Sequence, residues 1–299
     1  MPEDKRDYCK NATSPINIVK GGELSDCVLK CDYNFDYGTY SPNITNKKNH
    51  LALTYAGKIN PVKYNAEQYN VREIRIYQPS LHQYNGKTAD GEILIIHGGP
   101  GKNLIVSVPF KTGEKNDKGS SHLTELLTEA AQRVPASDTS PITGSNSNFS
   151  LNNFIPKNGF YSYTGTLPYG PCNGTYTYIV YNVDNNTLNI SDLALLKLKK
   201  IIAGTTAPIK ETNFFYNKNG ANSGGNDDNI YIDCQPVNDE GQILVPEGTT
   251  TTTTTDNPYF DMIEDDIGRS IVGLLVGLVI AYGFIKLFEG IRKKMTPPA

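Results

Sequence analysis

At 299 residues the chain is long enough for one large domain or two modest ones, each with a sizeable core. Its formal charge of −3 and pI near 5.9 exclude the basic footprint of a nucleic-acid-binding protein. Tryptophan is absent while Asn, Tyr, Thr and Gly are abundant, a balance that favours strands joined by long polar loops.

Met1–Tyr8 is charged and has no apolar h-region, so no cleavable signal peptide is expected. The five cysteines, Cys9, Cys27, Cys31, Cys172 and Cys234, include no Cys-x-x-Cys pair, which argues against a zinc ribbon. One or two disulfides with an odd thiol is the reading that remains. Asn-x-Ser/Thr sequons occur at Asn11, Asn43, Asn148, Asn173, Asn185 and Asn189, and in so Asn- and Thr-rich a chain they leave glycosylation open.

Residues 51–110 read as successive strands and turns, with Asn85-Gly86 and Asp90-Gly91 as turn dipeptides. Two segments form the centre. In Glu73-Ile74-Arg75-Ile76-Tyr77-Gln78 the alternation sends Ile74 and Ile76 to one face and Arg75 and Tyr77 to the other, the pattern of a half-buried strand. The run Glu92-Ile93-Leu94-Ile95-Ile96-His97 predicts a strand covered on both sides. Ser120-Ser121 then cap a predicted helix whose Leu123, Leu126, Leu127, Ala130, Ala131 and Val134 share one face, with Pro135 after it. Residues 160–165 and 175–181 predict strands around a Pro/Gly turn. Ser191-Asp192 opens a short helix through Lys200, with Leu193, Leu196 and Ile201 on one face. Residues 202–230 are polar and Gly/Asn-rich, and Ile230–Cys234 predicts a last short strand.

After Val245 the chain changes character. Residues 246–266 hold seven consecutive threonines and an acidic stretch, a stalk with nothing to bury. Ile271–Ile285 is an uncharged run of fifteen apolar or Gly residues, extended by Leu287 and Phe288 past Lys286. Residues 267–291 are therefore expected to be a single C-terminal transmembrane anchor, somewhat short of the roughly 20 apolar residues a span requires. A basic tail, 292–299, follows it; the positive flank argues for a tail on the cytosol-equivalent side and the large domain opposite, whereas a tail anchor without a signal peptide more often leaves that domain in the cytosol, so both orientations stand. Gly273 and Gly277 form a Gly-x-x-x-Gly pair that permits close helix approach and a homodimer.

Four motifs in one order resemble the α-carbonic anhydrase family. They are Ser14-Pro15-Ile16-Asn17-Ile18, the strand Glu73–Ser80, the strand Glu92–His97, and Phe154-Ile155-Pro156 followed by Tyr161-Ser162-Tyr163-Thr164-Gly165-Thr166-Leu167-Pro168 and on to Cys172. The resemblance covers roughly residues 9–240. It implies a mainly β (α+β) fold, with a central, mostly antiparallel twisted sheet and a few short helices, in a domain over 1–245. Carbonic anhydrases hold zinc through three imidazoles and acidify a bound water to a pKa of about 7. The positions matching those imidazoles are Arg75, Tyr77 and Leu94. Arginine is permanently charged and leucine has no lone pair, so all three ligands are lost together. Pro168 matches the Thr that orients zinc hydroxide, Leu81 matches the Glu that holds that Thr, and Gly57–Asn60 has no proton-shuttle histidine. His82 and His97 match structural histidines, while His50 and His122 fall at no ligand-like spacing. Cys9 and Cys172 match the pair that secreted carbonic anhydrases join by a disulfide; Cys27, Cys31 and Cys234 have no counterpart. His97-Gly98-Gly99-Pro100-Gly101 looks like the oxyanion-hole motif of some α/β-hydrolase peptidases, but the nucleophile elbow is missing.

The expectation is a pseudoenzyme without cofactor or metal, similar to the zinc-free, membrane-anchored carbonic-anhydrase-like virion proteins of large DNA viruses. Its partners would be the lipid membrane and capsid proteins or a host-surface ligand such as a glycan, with no nucleic acid. Two alternatives stand: an enzyme with a relocated active site, and a cellular adhesion or receptor-like module.

Overall fold

A computed structural model describes residues 9–222 apart from 28, 29, 100, 115, 116, 135, 137–139, 171 and 185. The expected stalk, anchor and tail (246–299, with Gly273 and Gly277), Cys234 and the strand at 230–234 lie outside the described residues.

In chain order the strands are β1 (Asn17–Ile18), β2 (Tyr33–Phe35), β3 (Asn43–Asn46), β4 (Leu51–Leu53), β5 (Val62–Tyr64), β6 (Glu67–Tyr77), β7 (Gln83–Tyr84), β8 (Lys87–Thr88), β9 (Gly91–Gly98) and β10 (Asn103–Thr112). Helix α1 (Lys118–Arg133) follows, then β11 (Ile142–Thr143), β12 (Phe160–Gly165), β13 (Tyr176–Tyr181), β14 (Leu188–Ile190), helix α2 (Asp192–Ile201) and β15 (Phe215–Asn217). The large sheet runs β11-β3-β4-β6-β9-β10-β13-β12-β15, mostly antiparallel, with β13 and β14 parallel to β10. A small sheet joins β1, β7 and β8.

The two central strands pair antiparallel, with Arg75 opposite Leu94 and Tyr77 opposite Glu92. Strand β9 is buried on both faces throughout, the expected pattern. In β6 the last four residues, Ile74–Tyr77, are buried on both faces, which corrects the half-buried reading there, because Arg75 and Tyr77 are covered along with Ile74 and Ile76, while Glu73 stays partly exposed. Two apolar cores result. One face carries Ile74, Ile76, Ile93, Ile95, Val106 and Phe110 under the helices. The other carries Tyr77, Leu94, Ile96, Ile105, Tyr163 and Tyr178.

Pro109 sits within this sheet without breaking it. Strand β13 pairs residues 103–107 of β10 and β14 pairs 110–112, so the missing N–H of Pro109 falls between the two partners. Asn85-Gly86 makes the β7–β8 hairpin turn, both residues having positive φ. Asp90-Gly91 instead leads straight into β9, and the absent Gly91 side chain leaves room for the Phe110 ring.

Helix α1 begins one turn earlier than expected. Its cap is Asp117, whose carboxylate accepts from the Ser120 N–H at 2.8 Å, so Ser120 belongs to the first turn. Leu123, Leu126, Leu127, Ala130 and Val134 are buried, as the periodicity predicts. Helix α2 starts at the expected Ser191 cap but turns a different face inward. It buries Ala194, Leu195 and Leu198, while Leu193 and Leu196 point to solvent. The segment Asp192-Leu-Ala-Leu-Leu-Lys-Leu is apolar on two sides, and the side that packs on α1 and the sheet is decided by tertiary contact. Strand β15 lies in the stretch read as loop; three residues of edge strand are too few to show a period.

The facing of α2 fixes an expected outcome. Leu198→Ala should cost about 2–5 kcal/mol and Leu196→Ala within about 0.5 kcal/mol, read from urea denaturation. Equal costs would contradict the orientation.

Candidate functional site

Strand alternation places Arg75, Tyr77 and Leu94 on one sheet face. The Arg75 guanidinium does not point into empty space. Its Nε and Nη2 both donate to Glu73 Oε2, at 2.8 and 2.7 Å. The Arg75 side chain is 8% exposed and that of Glu73 33%, so the pair is sunk in the face with its carboxylate edge toward water. His50 completes the group. Its ring lies 5.1 Å from that of Tyr77, and its Nε2 is 3.9 Å from Glu73 Oε1, beyond hydrogen-bond range. Asn49 Oδ1 sits 2.7 Å from His50 Nδ1, and an acceptor there puts the proton on Nδ1. His50 Nε2 is left buried without a hydrogen-bond partner.

The charges are mutually consistent. Burial pushes the Glu73 carboxyl upward, but the hydrogen bonds and charge of Arg75 outweigh it and hold the carboxyl below the usual carboxylate range, His50 being out of bonding range. Burial lowers His50, and the Arg75 cation adds to the effect, so the imidazole is neutral at pH 7. Burial raises the Tyr77 phenol to about 12 against the opposing pull of Arg75. A permanent cation, a protonated phenol and an isobutyl group therefore occupy the three positions. Neither guanidinium nor leucine can ligate zinc, and a fixed positive charge repels it. The residues present do not fit the metal. Among the described residues no group of three His, Cys, Asp or Glu side chains is placed to hold one elsewhere.

On the same face, beside Tyr77 and Leu94, lies a buried polar relay. Glu92 accepts from the backbone N–H groups of Leu81 (2.7 Å) and His82 (3.1 Å), from His82 Nδ1 (2.5 Å) and from the Ser107 hydroxyl. Burial would raise its pKa; the interaction with His82 and these bonds lower it instead, so it is a carboxylate. His82 Nε2 meets the Tyr163 hydroxyl at 2.8 Å, the Tyr163 ring stacks on Tyr178 at 4.6 Å, and the Tyr178 hydroxyl meets Ser14 Oγ at 2.9 Å. His82 is thus a satisfied core residue. So is His97, bonded to the Tyr37 hydroxyl at 2.9 Å and the Leu104 carbonyl at 3.3 Å, which disposes of the hydrolase likeness.

Further along the same face β6 carries a bulge between Val71 and Glu73. Asn70 pairs with Gly98 there, and Arg72, the extra residue, lies across the bare Cα of Gly98. Asn60, Glu67, Gln68, Asn70, Arg72, Gly98 and Gly99 line an open groove of about 500 Å³. Sequence reading missed this groove, Glu73 and His50. A Glu two residues before a strand Arg was the available signal for Glu73; nothing marks a bulge in advance.

Residues 3–214 match the model of the eukaryotic-type carbonic anhydrases. The chain belongs to that family. Alpha carbonic anhydrase 7 of Arabidopsis thaliana is 25% identical over 153 residues, 49% of this chain and 52% of that protein, so the match spans about half of the relative. Dioscorin dioA3 of Dioscorea japonica is 22% identical over 206 residues, 67% of this chain and 72% of the relative. The crystal structure of dioscorin complexed with ascorbate aligns with a TM-score of 0.58 at 20% identity, covering 70% of this chain and 87% of that one, which is a likeness of fold.

In this carbonic-anhydrase fold Pro168 is buried just after β12, and its carbonyl accepts from the Cys9 N–H at 2.9 Å. Leu81 is buried beside the relay. Cys9 is joined to Cys172 across 163 residues, and Cys27 to Cys31 across four.

Two outcomes follow from the charges. Glu73→Gln leaves a buried guanidinium without its counter-charge and should cost about 1–3 kcal/mol at pH 7, most of it recovered in Glu73→Gln/Arg75→Met. Urea denaturation of the three proteins checks it, and a double variant no more stable than Glu73→Gln alone would contradict the pairing. Burial, against opposing carbonyl acceptors, holds His97 at about 4. Between the unfolded value near 6.5 and that value the unfolded chain takes up a proton that the folded chain refuses, so stability falls as pH falls. From pH 6.5 to 5 the loss should be about 2 kcal/mol, and His97→Gln should flatten it. An unchanged slope in the variant would contradict the assignment.

Proposed function

We propose that this carbonic-anhydrase-family chain is a non-catalytic domain, carried on a C-terminal single-pass anchor. We assign it the role of a structural or ligand-binding component of a membrane-bounded particle surface, with a virion as the setting. The observation that carries the reading is the donor set on the central sheet face: Arg75 locked to Glu73, a protonated Tyr77 and an apolar Leu94, where the family's zinc chemistry needs three neutral imidazoles. Pro168 offers no hydroxyl to orient a nucleophile, and no histidine stands in Gly57–Asn60 to carry a proton away.

What the domain retains is a rigid scaffold and a polar surface. The carboxamide-lined groove at the rim supports a ligand-binding use, with capsid proteins or a host-surface ligand such as a glycan as the proposed partner. The dioscorin structure, with its bound ascorbate, supports the idea that a relative of this fold can present a small-molecule site. The anchor rests on the apolar run near 271–285 and the basic tail beyond it.

Zinc content and CO₂ hydration of the purified full chain test the proposal, beside Arg75→His/Tyr77→His/Leu94→His. The natural chain should retain no stoichiometric zinc and leave hydration at the uncatalysed rate, while the triple variant should take zinc up. Stoichiometric zinc with CO₂ hydration in the natural chain would overturn the proposal.

A further inference from the structure

Helix α2 carries a surface that neither the fold nor the site uses. Leu193 is 61% exposed and Leu196 57%, among the few large apolar side chains so open to solvent. At helical spacing Leu196, Lys199 and Lys200 stand at i, i+3 and i+4, so leucines and lysines form one outward strip. Both lysines are exposed. The β3–β4 turn brings two more. Its Lys48 carbonyl accepts from the Ala203 N–H at 2.7 Å, and the Asn46 side chain donates to the Ile201 carbonyl at 2.8 Å, which pins the turn to the C-terminal end of α2. Lys47 and Lys48 are exposed on that turn. Four lysines scattered in the sequence thus gather at the C-terminal end of α2, where cations are also favoured by the dipole, with Leu196 one turn and Leu193 two turns before them on the helix. Asp192, the acid of the strip, lies at the opposite end of the helix.

We infer that this face docks on an anionic lipid surface. A soluble polyanion would engage the lysines and leave the leucines in water. An apolar protein groove would take the leucines and leave the lysines without counter-charge. A bilayer with acidic headgroups over a hydrocarbon interior uses both, the leucines entering the interface and the lysines reaching the phosphates. The inference stands on the helix and the turn packed against it. It requires neither the vacant zinc positions nor the C-terminal anchor, so its failure would leave the proposed function untouched.

Hydroxyl-radical footprinting of the full chain, mixed with preformed vesicles, reads the exposure of these side chains directly. With phosphatidylserine–phosphatidylcholine vesicles the modification rates of Leu193 and Leu196 should fall about threefold or more, and with phosphatidylcholine alone they should not. Ile59, 85% exposed in the loop before β5, serves as the internal reference and should keep its rate. Lys199→Glu/Lys200→Glu, a surface change away from the core, should abolish the protection. Unchanged leucine rates on anionic vesicles would overturn the inference. So would protection that survives the charge reversal, or equal protection by soluble heparin without vesicles.

Discussion

A guanidinium buried against a β-sheet must be answered by a carboxylate, and Arg75 is answered by Glu73 two residues earlier on the same strand. The period of two that puts both on one face also puts Tyr77 there, and pairing with β9 brings Leu94 opposite. Burial sets the protonation of the pair's neighbours: His50 stays neutral, with the Arg75 cation adding to the effect, and Tyr77 keeps its proton against that cation's pull. Glu73 remains partly wet, which keeps the desolvation cost of the pair tolerable. The result is a charged, self-satisfied plug in the sheet face.

The scaffold beside that plug is held by a bond network of its own. Glu92, with four donors from Leu81, His82 and Ser107, ties the β6–β7 connection to β9 and β10, and His82 passes the connection on to Tyr163, Tyr178 and Ser14. Ser14, Glu92 and Tyr163 among them belong to the motifs that carry the family likeness. Their role here is to satisfy one another in a dry interior, where an unpaired member would be costly. A sheet held together in this way can lose its metal ligands while keeping its shape, and its surfaces are then free to take on other work.

The sequence made the central features legible where a period or a motif was long enough to read. Eight consecutive buried residues in β9 and the buried Leu123, Leu126, Leu127 and Ala130 on one face of α1 left little room for another reading. The three substituted ligand positions were visible because the motifs around them fixed their register. What failed was short or tertiary. The ten residues of α2 are apolar on two sides, so only packing against α1 decided that Leu195 and Leu198 go in and Leu193 and Leu196 stay out. The α1 cap was displaced by one turn because Asp117 and the serines after it are all good capping residues, and the hydrogen bonds to Ser120 settled it. Glu73 was signalled only by its place two residues before Arg75 on the same strand; His50 was unremarkable in the sequence, and its part in the site comes from a cross-strand juxtaposition that no local pattern encodes. The bulge at Arg72 changes which face each neighbour takes, and no alternation rule announces it.

The central claim is that a guanidinium–carboxylate pair fills the sheet face where the family keeps its metal. Diffraction at the zinc absorption edge, from crystals of the chain equilibrated with excess zinc, tests it most directly. The account predicts density for Arg75 bound to Glu73 and no anomalous peak on that face. A zinc peak lodged between Arg75, Tyr77 and Leu94, with Arg75 swung away from Glu73, would contradict it.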